Sequence, residues 1–80
     1  MSSYQTAAGI IARRCLDSYN VTHLVTHLNQ TCEYERTGVI EPRSFNDIWV
    51  YAQVIRHPAA SDNVRNLVGK MVRVYMAVLL

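Results

Sequence analysis

With 80 residues the chain has room for one small domain, residues 1–80, whose single core buries a modest share of its surface and leaves it marginally stable without help. Half of the residues are apolar and 18% are charged, below the roughly 25% of an average soluble domain, which predicts apolar surface shared with another chain. A formal net charge of +2 is too small to define a nucleic-acid footprint by itself, and Lys70 and Arg73 interrupt the apolar C-terminal run that would otherwise approach the roughly 20 residues of a membrane span.

In chain order, Ser2-Ser3-Tyr4-Gln5 offers a Ser-x-x-Gln capping box, so a first helix is expected over 3–19. Its apolar positions Tyr4, Ala8, Ile11, Ala12, Cys15, Leu16 and Tyr19 recur at spacings of three and four, with Arg13, Arg14 and Asp17 on the other side. Gly9 lies among small residues and reads as a packing position that lets a neighbouring helix approach. Asn20 is placed to cap a second helix over 21–37, with Val21, Leu24, Val25, Leu28 and Cys32 inward. Gly38 suits a left-handed C-terminal cap, and Pro42 prevents continuation.

Ser44, with Asp47 in the first turn, starts a third helix over 45–57. Phe45, Ile48, Trp49, Ala52 and Ile55 form its expected inner face, widened by Val50, Tyr51 and Val54. His57-Pro58 stops it, because a residue before proline avoids helical geometry, and Ser61 or Asp62 caps a fourth helix over 62–80. The fourth helix has Val64, Leu67, Val68, Met71, Val72, Tyr75, Val78 and Leu79 inward and Asn66, Lys70 and Arg73 as a narrow polar strip. Val74, Met76 and Leu80 are left without a place. No segment alternates with a period of two, so the fold class is all-α, a compact bundle-like domain of four helices.

Seventeen residues, Val64 to Leu80, are apolar around nearly the whole helix circumference, and a helix of that kind is covered by something. A homodimer through the fourth helix is the simplest cover, since a two-fold interface uses one patch twice. Interfaces concentrate Tyr, Trp, Met and Arg, and the chain holds five tyrosines, three methionines, one tryptophan and seven arginines. The expected contact surface is Tyr34, Arg36, Arg43, Tyr51, Met76 and Leu80.

Enzyme chemistry has no anchor: there is no Gly-rich phosphate loop, no paired catalytic carboxylates and no nucleophile elbow. His23 and His27 stand one turn apart, which is half of a zinc site, so neither metal nor cofactor is expected. Cys15 and Cys32 read as reduced, buried thiols, too few for the framework of a secreted domain. The sequons at Asn20 and Asn29 carry no weight without secretion, and no signal segment opens the chain, so a cytoplasmic location is expected.

The expected role is therefore binding: an inhibitor or adaptor acting on another protein, of the size and composition phages and mobile elements encode. The alternative is a DNA-binding regulator in which the third and fourth helices form a helix-turn-helix. Arg56, Asn63, Arg65, Asn66, Lys70 and Arg73 would then face DNA.

Overall fold

A computed structural model describes residues 6–32 and 38–79, with Leu79 described by its backbone only. Four helices follow one another: α1 (Ala7–Asp17), α2 (Val21–Thr31), α3 (Phe45–Arg56) and α4 (Asp62–Leu79). Among the described residues there is no strand, and the all-α, four-helix expectation holds.

Local chemistry sets most of the helix ends. Thr6, in extended geometry, accepts the Gly9 N–H at 2.9 Å through its Oγ1, so α1 starts at Ala7 rather than at residue 3, and the Ser2-to-Gln5 box lies outside the described residues. α1 stops two residues earlier than expected. The Asn20 N–H reaches the Cys15 carbonyl at 2.9 Å and the Tyr19 N–H reaches Leu16 at 3.2 Å, a Schellman closure. That closure puts Tyr19 at φ 56°, a left-handed position usually given to glycine. It also turns Tyr19 out to solvent, away from the inner face expected for it.

Asn20 caps α2 by accepting the His23 N–H at 3.1 Å, as expected. The described part of α2 runs to Thr31, whose hydroxyl bonds back to the His27 carbonyl at 3.0 Å, and residues 33–37 of the expected span lie outside the described residues. Gly38 has a role other than the expected left-handed cap, since no described glycine has positive φ. A Cβ on Gly38 would stand 2.7 Å from the Thr31 Cβ, so the chain passes there too closely for any side chain. Ser44 and Ser61 cap α3 and α4 through Asp47 N–H (3.4 Å) and Val64 N–H (3.2 Å), and His57 ends α3 in extended geometry before Pro58.

The core gathers Ala12, Cys15 and Leu16 of α1, Leu24, Val25 and Leu28 of α2, Val50, Tyr51 and Val54 of α3, Val64 and Val68 of α4, and Ile40 and Ala60 from the connections. α3 packs most extensively on α4, and α1 on α2. Two polar clamps fix the connections to this core. The Tyr51 hydroxyl donates to the Ile40 carbonyl at 2.8 Å and accepts the Ile40 N–H at 3.2 Å. The Asn29 amide donates to Ala59 O at 2.8 Å and accepts Ser61 N–H at 2.9 Å, tying the turn between α3 and α4 to α2. Asn29 thus uses its amide nitrogen internally. Gly9 is buried, in keeping with a packing role, and beside it the buried His27 donates from Nε2 to the Ala8 carbonyl at 2.9 Å.

The α3 face differs most from expectation. Asp47, Ile48, Val50, Tyr51 and Val54 are buried, while Phe45 and Trp49 are exposed. Of the eight residues expected inward, Ile48, Val50, Tyr51 and Val54 are buried and Ala52 and Ile55 half-buried, so burial centres on the residues expected to widen the face. Tyr51, expected on the contact surface, is fully buried because its hydroxyl holds Ile40 inside the core.

Candidate protein-interaction surface

α4 is eighteen residues long and packs on α3, which has twelve. The six-residue excess is about 9 Å of helix without an equally long neighbour. The accessibility of α4 follows that difference. Val64 and Val68 near its start are buried, Leu67, Met71, Val72 and Tyr75 are half-buried, and Val74 and Val78 are 59% and 72% exposed. Val78, expected inward, thus faces solvent.

Leu67, Met71, Val74 and Val78 are spaced four, three and four apart and form one apolar stripe beside the buried face. Isolated exposed apolar side chains are ordinary on any protein, and of this stripe two, Val74 and Val78, are exposed one turn apart. A second apolar feature lies on the outer face of α3, where Phe45 and Trp49, one turn apart, are both more than half exposed, with Arg56 on the same side two turns on.

Of the residues expected to make protein contact, Tyr34, Arg36 and Leu80 lie outside the described residues. Arg43 is exposed on the connection before α3, and its backbone N–H donates to Asp47 Oδ2 at 2.9 Å. Met76 is half-buried on the far side of α4 from Val74 and Val78. Tyr51 belongs to the core. Exposed apolar residues outside that set include Phe45, Trp49, Val74 and Val78. Interface composition pointed to Trp49, but the inner-face assignment removed it from the surface.

The residues of the DNA alternative divide differently. Asn63, Asn66, Lys70 and Arg73 are exposed on one strip of α4, and Arg56 is exposed at the end of α3. Arg65 is half-buried: its Nη2 donates to the His57 carbonyl at 3.0 Å, and its Nη1 lies 3.6 Å from Asp62. A half-open pocket of about 430 Å³ at the start of this strip is lined by Cys32, Asn63, Asn66, Leu67 and Lys70. Cys15 is buried and Cys32 half-buried, both are free, and burial raises both thiols above their ordinary pKa, the opposite of nucleophile activation. His23 is exposed while His27 is turned into the α1 contact, and among the described residues no group of three or more His, Cys, Asp or Glu gathers in metal-binding reach.

The strongest polar contact was also missed by the sequence pattern. Arg13, expected on the solvent side of α1, grips the buried Asp47 of α3 with Nη1 and Nη2, at 3.0 and 2.6 Å, and its Nε donates to Asp17 at 3.0 Å. Burial alone would raise the Asp47 pKa, but hydrogen bonds from Arg13 and the Arg43 N–H outweigh it and hold the carboxyl below its ordinary value. The hydrogen bond to Asp47 raises the Arg13 pKa in turn, against burial. Both groups are satisfied inside the fold, so this pair positions α3 and the Arg43 connection and offers nothing to a ligand.

Comparison of the chain with family models, with curated proteins and with solved structures gives no match.

Proposed function

We propose that this chain is a small non-enzymatic protein-interaction module, an inhibitor or adaptor, that self-associates through the C-terminal half of α4. Its remaining surface, with Arg43 and the exposed Phe45 and Trp49, is then left to hold another protein. The observation that carries the reading is the exposure of Val74 and Val78 at the end of an apolar stripe. Trp, Phe and Arg on one helix face match the composition of binding hot spots and support the second surface.

Light scattering over a dilution series tests the reading. The wild type is expected to approach twice its 9.1 kDa at high concentration, and Val78→Asp is expected to stay monomeric with unchanged helical circular dichroism. A wild type that remains at 9.1 kDa at every concentration, or a variant that associates as well as the wild type, would overturn it.

The exposed strip of Asn63, Asn66, Lys70 and Arg73 supports a second reading, duplex DNA binding by α4. It ranks below the first because Arg65 is engaged by His57 O, Asp62 is exposed at the tip of the would-be reading helix, and the net charge is only +2. Salt-dependent retardation of duplex DNA that Arg73→Ala weakens would favour it, and indifference to DNA at low salt would remove it.

A further inference from the structure

We infer that the outer face of α3 holds an acidic protein segment with an apolar anchor, the anchor against Phe45 and Trp49 and a carboxylate on Arg56; this rests on the protein-interaction reading above and is independent of self-association through α4. Phe45, Trp49 and Arg56 fall within an arc of about 40° on the helix and span about 16 Å along it. That arc lies opposite the buried Asp47, Tyr51 and Val54, so it points straight away from the core. Phe45 and Trp49 are 53% and 56% exposed, and Arg56 is exposed with them. Aromatic rings and an arginine held on one rigid helix are the side chains that supply most of the energy of a protein contact.

Charge names the partner. Each described acid is already engaged: Asp17 and Asp47 by Arg13, Asp62 by Arg65, and Glu41 has a partner as well. Among the described residues, Arg14, Arg56, Lys70 and Arg73 are exposed and their side chains make no ion pair or hydrogen bond. The side-chain charge left unpaired on the described surface is therefore positive. A second copy brings no unpaired acid from these residues to meet Arg56, whereas a foreign segment with Asp or Glu beside an apolar side chain does. Nucleic acid fits less well, because Arg14 belongs to α1 and Lys70 and Arg73 to α4. Arg56 is then the one described cation without a partner on α3, where a strand needs a row of cations along its phosphates. In the complex the rings carry the affinity, and the exposed ion pair sets association rate and selectivity.

Trp49 is the one tryptophan of the chain, so its emission reads occupancy of this face directly. A random peptide library lacking tryptophan, panned on the full chain at low salt, is the probe. Enriched peptides are expected to combine Asp or Glu with Phe or Leu and to shift the Trp49 emission to the blue. They are also expected to lose affinity when salt is raised or their acids are replaced by amides. Trp49→Ser and Arg56→Glu, both at exposed positions and with helical circular dichroism unchanged, are expected to weaken them by about tenfold or more. A library that enriches nothing would overturn the site. Enriched peptides without acids, or acidic ones that leave the Trp49 emission and the affinities of both variants unchanged, would overturn it while leaving protein interaction standing. A single-stranded oligonucleotide that shifts the emission where no peptide does would overturn both.

Discussion

Asp47 concentrates more structure than any other single side chain here. Its carboxylate takes two hydrogen bonds from Arg13 and one from the Arg43 N–H, and its own N–H is capped by Ser44, so one residue joins α1, α3 and the connection before α3. With the Asp47 side chain 4% exposed, removing its charge leaves the half-buried Arg13 with the solvent-facing Asp17 as its remaining carboxylate. Asp47→Asn should therefore cost about 3 kcal/mol at neutral pH, the lower end for breaking a buried pair because Arg13 retains Asp17. The effect depends on pH in a definite direction. The folded-state pKa of Asp47 lies below its unfolded value of about 3.9, so the stabilisation is complete above that value and is lost as pH falls through the folded one. Urea midpoints of wild type and Asp47→Asn should differ at pH 7 and converge toward pH 2. A gap of constant size across that range would show that the carboxylate charge is not what matters.

At the scale of the helices, what was legible in the sequence is what neighbouring residues decide among themselves. Asn20, Ser44 and Ser61 cap the helices they were expected to cap, and His57-Pro58 ends α3, because each signal acts within three residues of itself. Which apolar residues of α3 stay open, Phe45 and Trp49, was not legible. Phe45, Ile48, Trp49, Ala52 and Ile55 make one apolar meridian, Ile48, Val50, Tyr51 and Val54 another, and periodicity cannot rank them. The choice is made by partners far along the chain: Arg13, thirty-four residues before Asp47, and Ile40, eleven before Tyr51. Arg13 itself looked like a solvent residue until α3 supplied its partner. The buried and exposed meridians give opposite expectations for adjacent residues. Val50→Ala should cost about 2 kcal/mol, as a fully buried large-to-small change does. Trp49→Ser, a far larger change in volume, should stay within about 1 kcal/mol, because the ring is 56% exposed. Thermal melts of the two variants should order them that way, and a larger loss for Trp49→Ser would mean that the indole is covered.

For the whole molecule, the stickiness of the C-terminal helix was legible in its composition, but which of its residues stay uncovered was not, since that depends on α3 being six residues shorter. The described helices already enclose a core of thirteen buried apolar residues, with no buried side-chain nitrogen or oxygen unpartnered among the described residues, so the chain can fold before it associates. The proposed association would then add stability by mass action instead of being required for it. For a dissociation constant near 100 μM, about 1 mM protein leaves roughly a fifth of the chain as free monomer, so association contributes roughly 1 kcal/mol. In a domain of this size that amounts to a Tm increase of about 4–8 °C. Wild-type melts should shift upward over that range while Val78→Asp melts stay constant and coincide with the wild type at high dilution. A wild-type Tm independent of concentration would place the α4 stripe outside any self-contact. A Val78→Asp protein less stable than the dilute wild type would mean that Val78 packs within its own chain, against its 72% exposure.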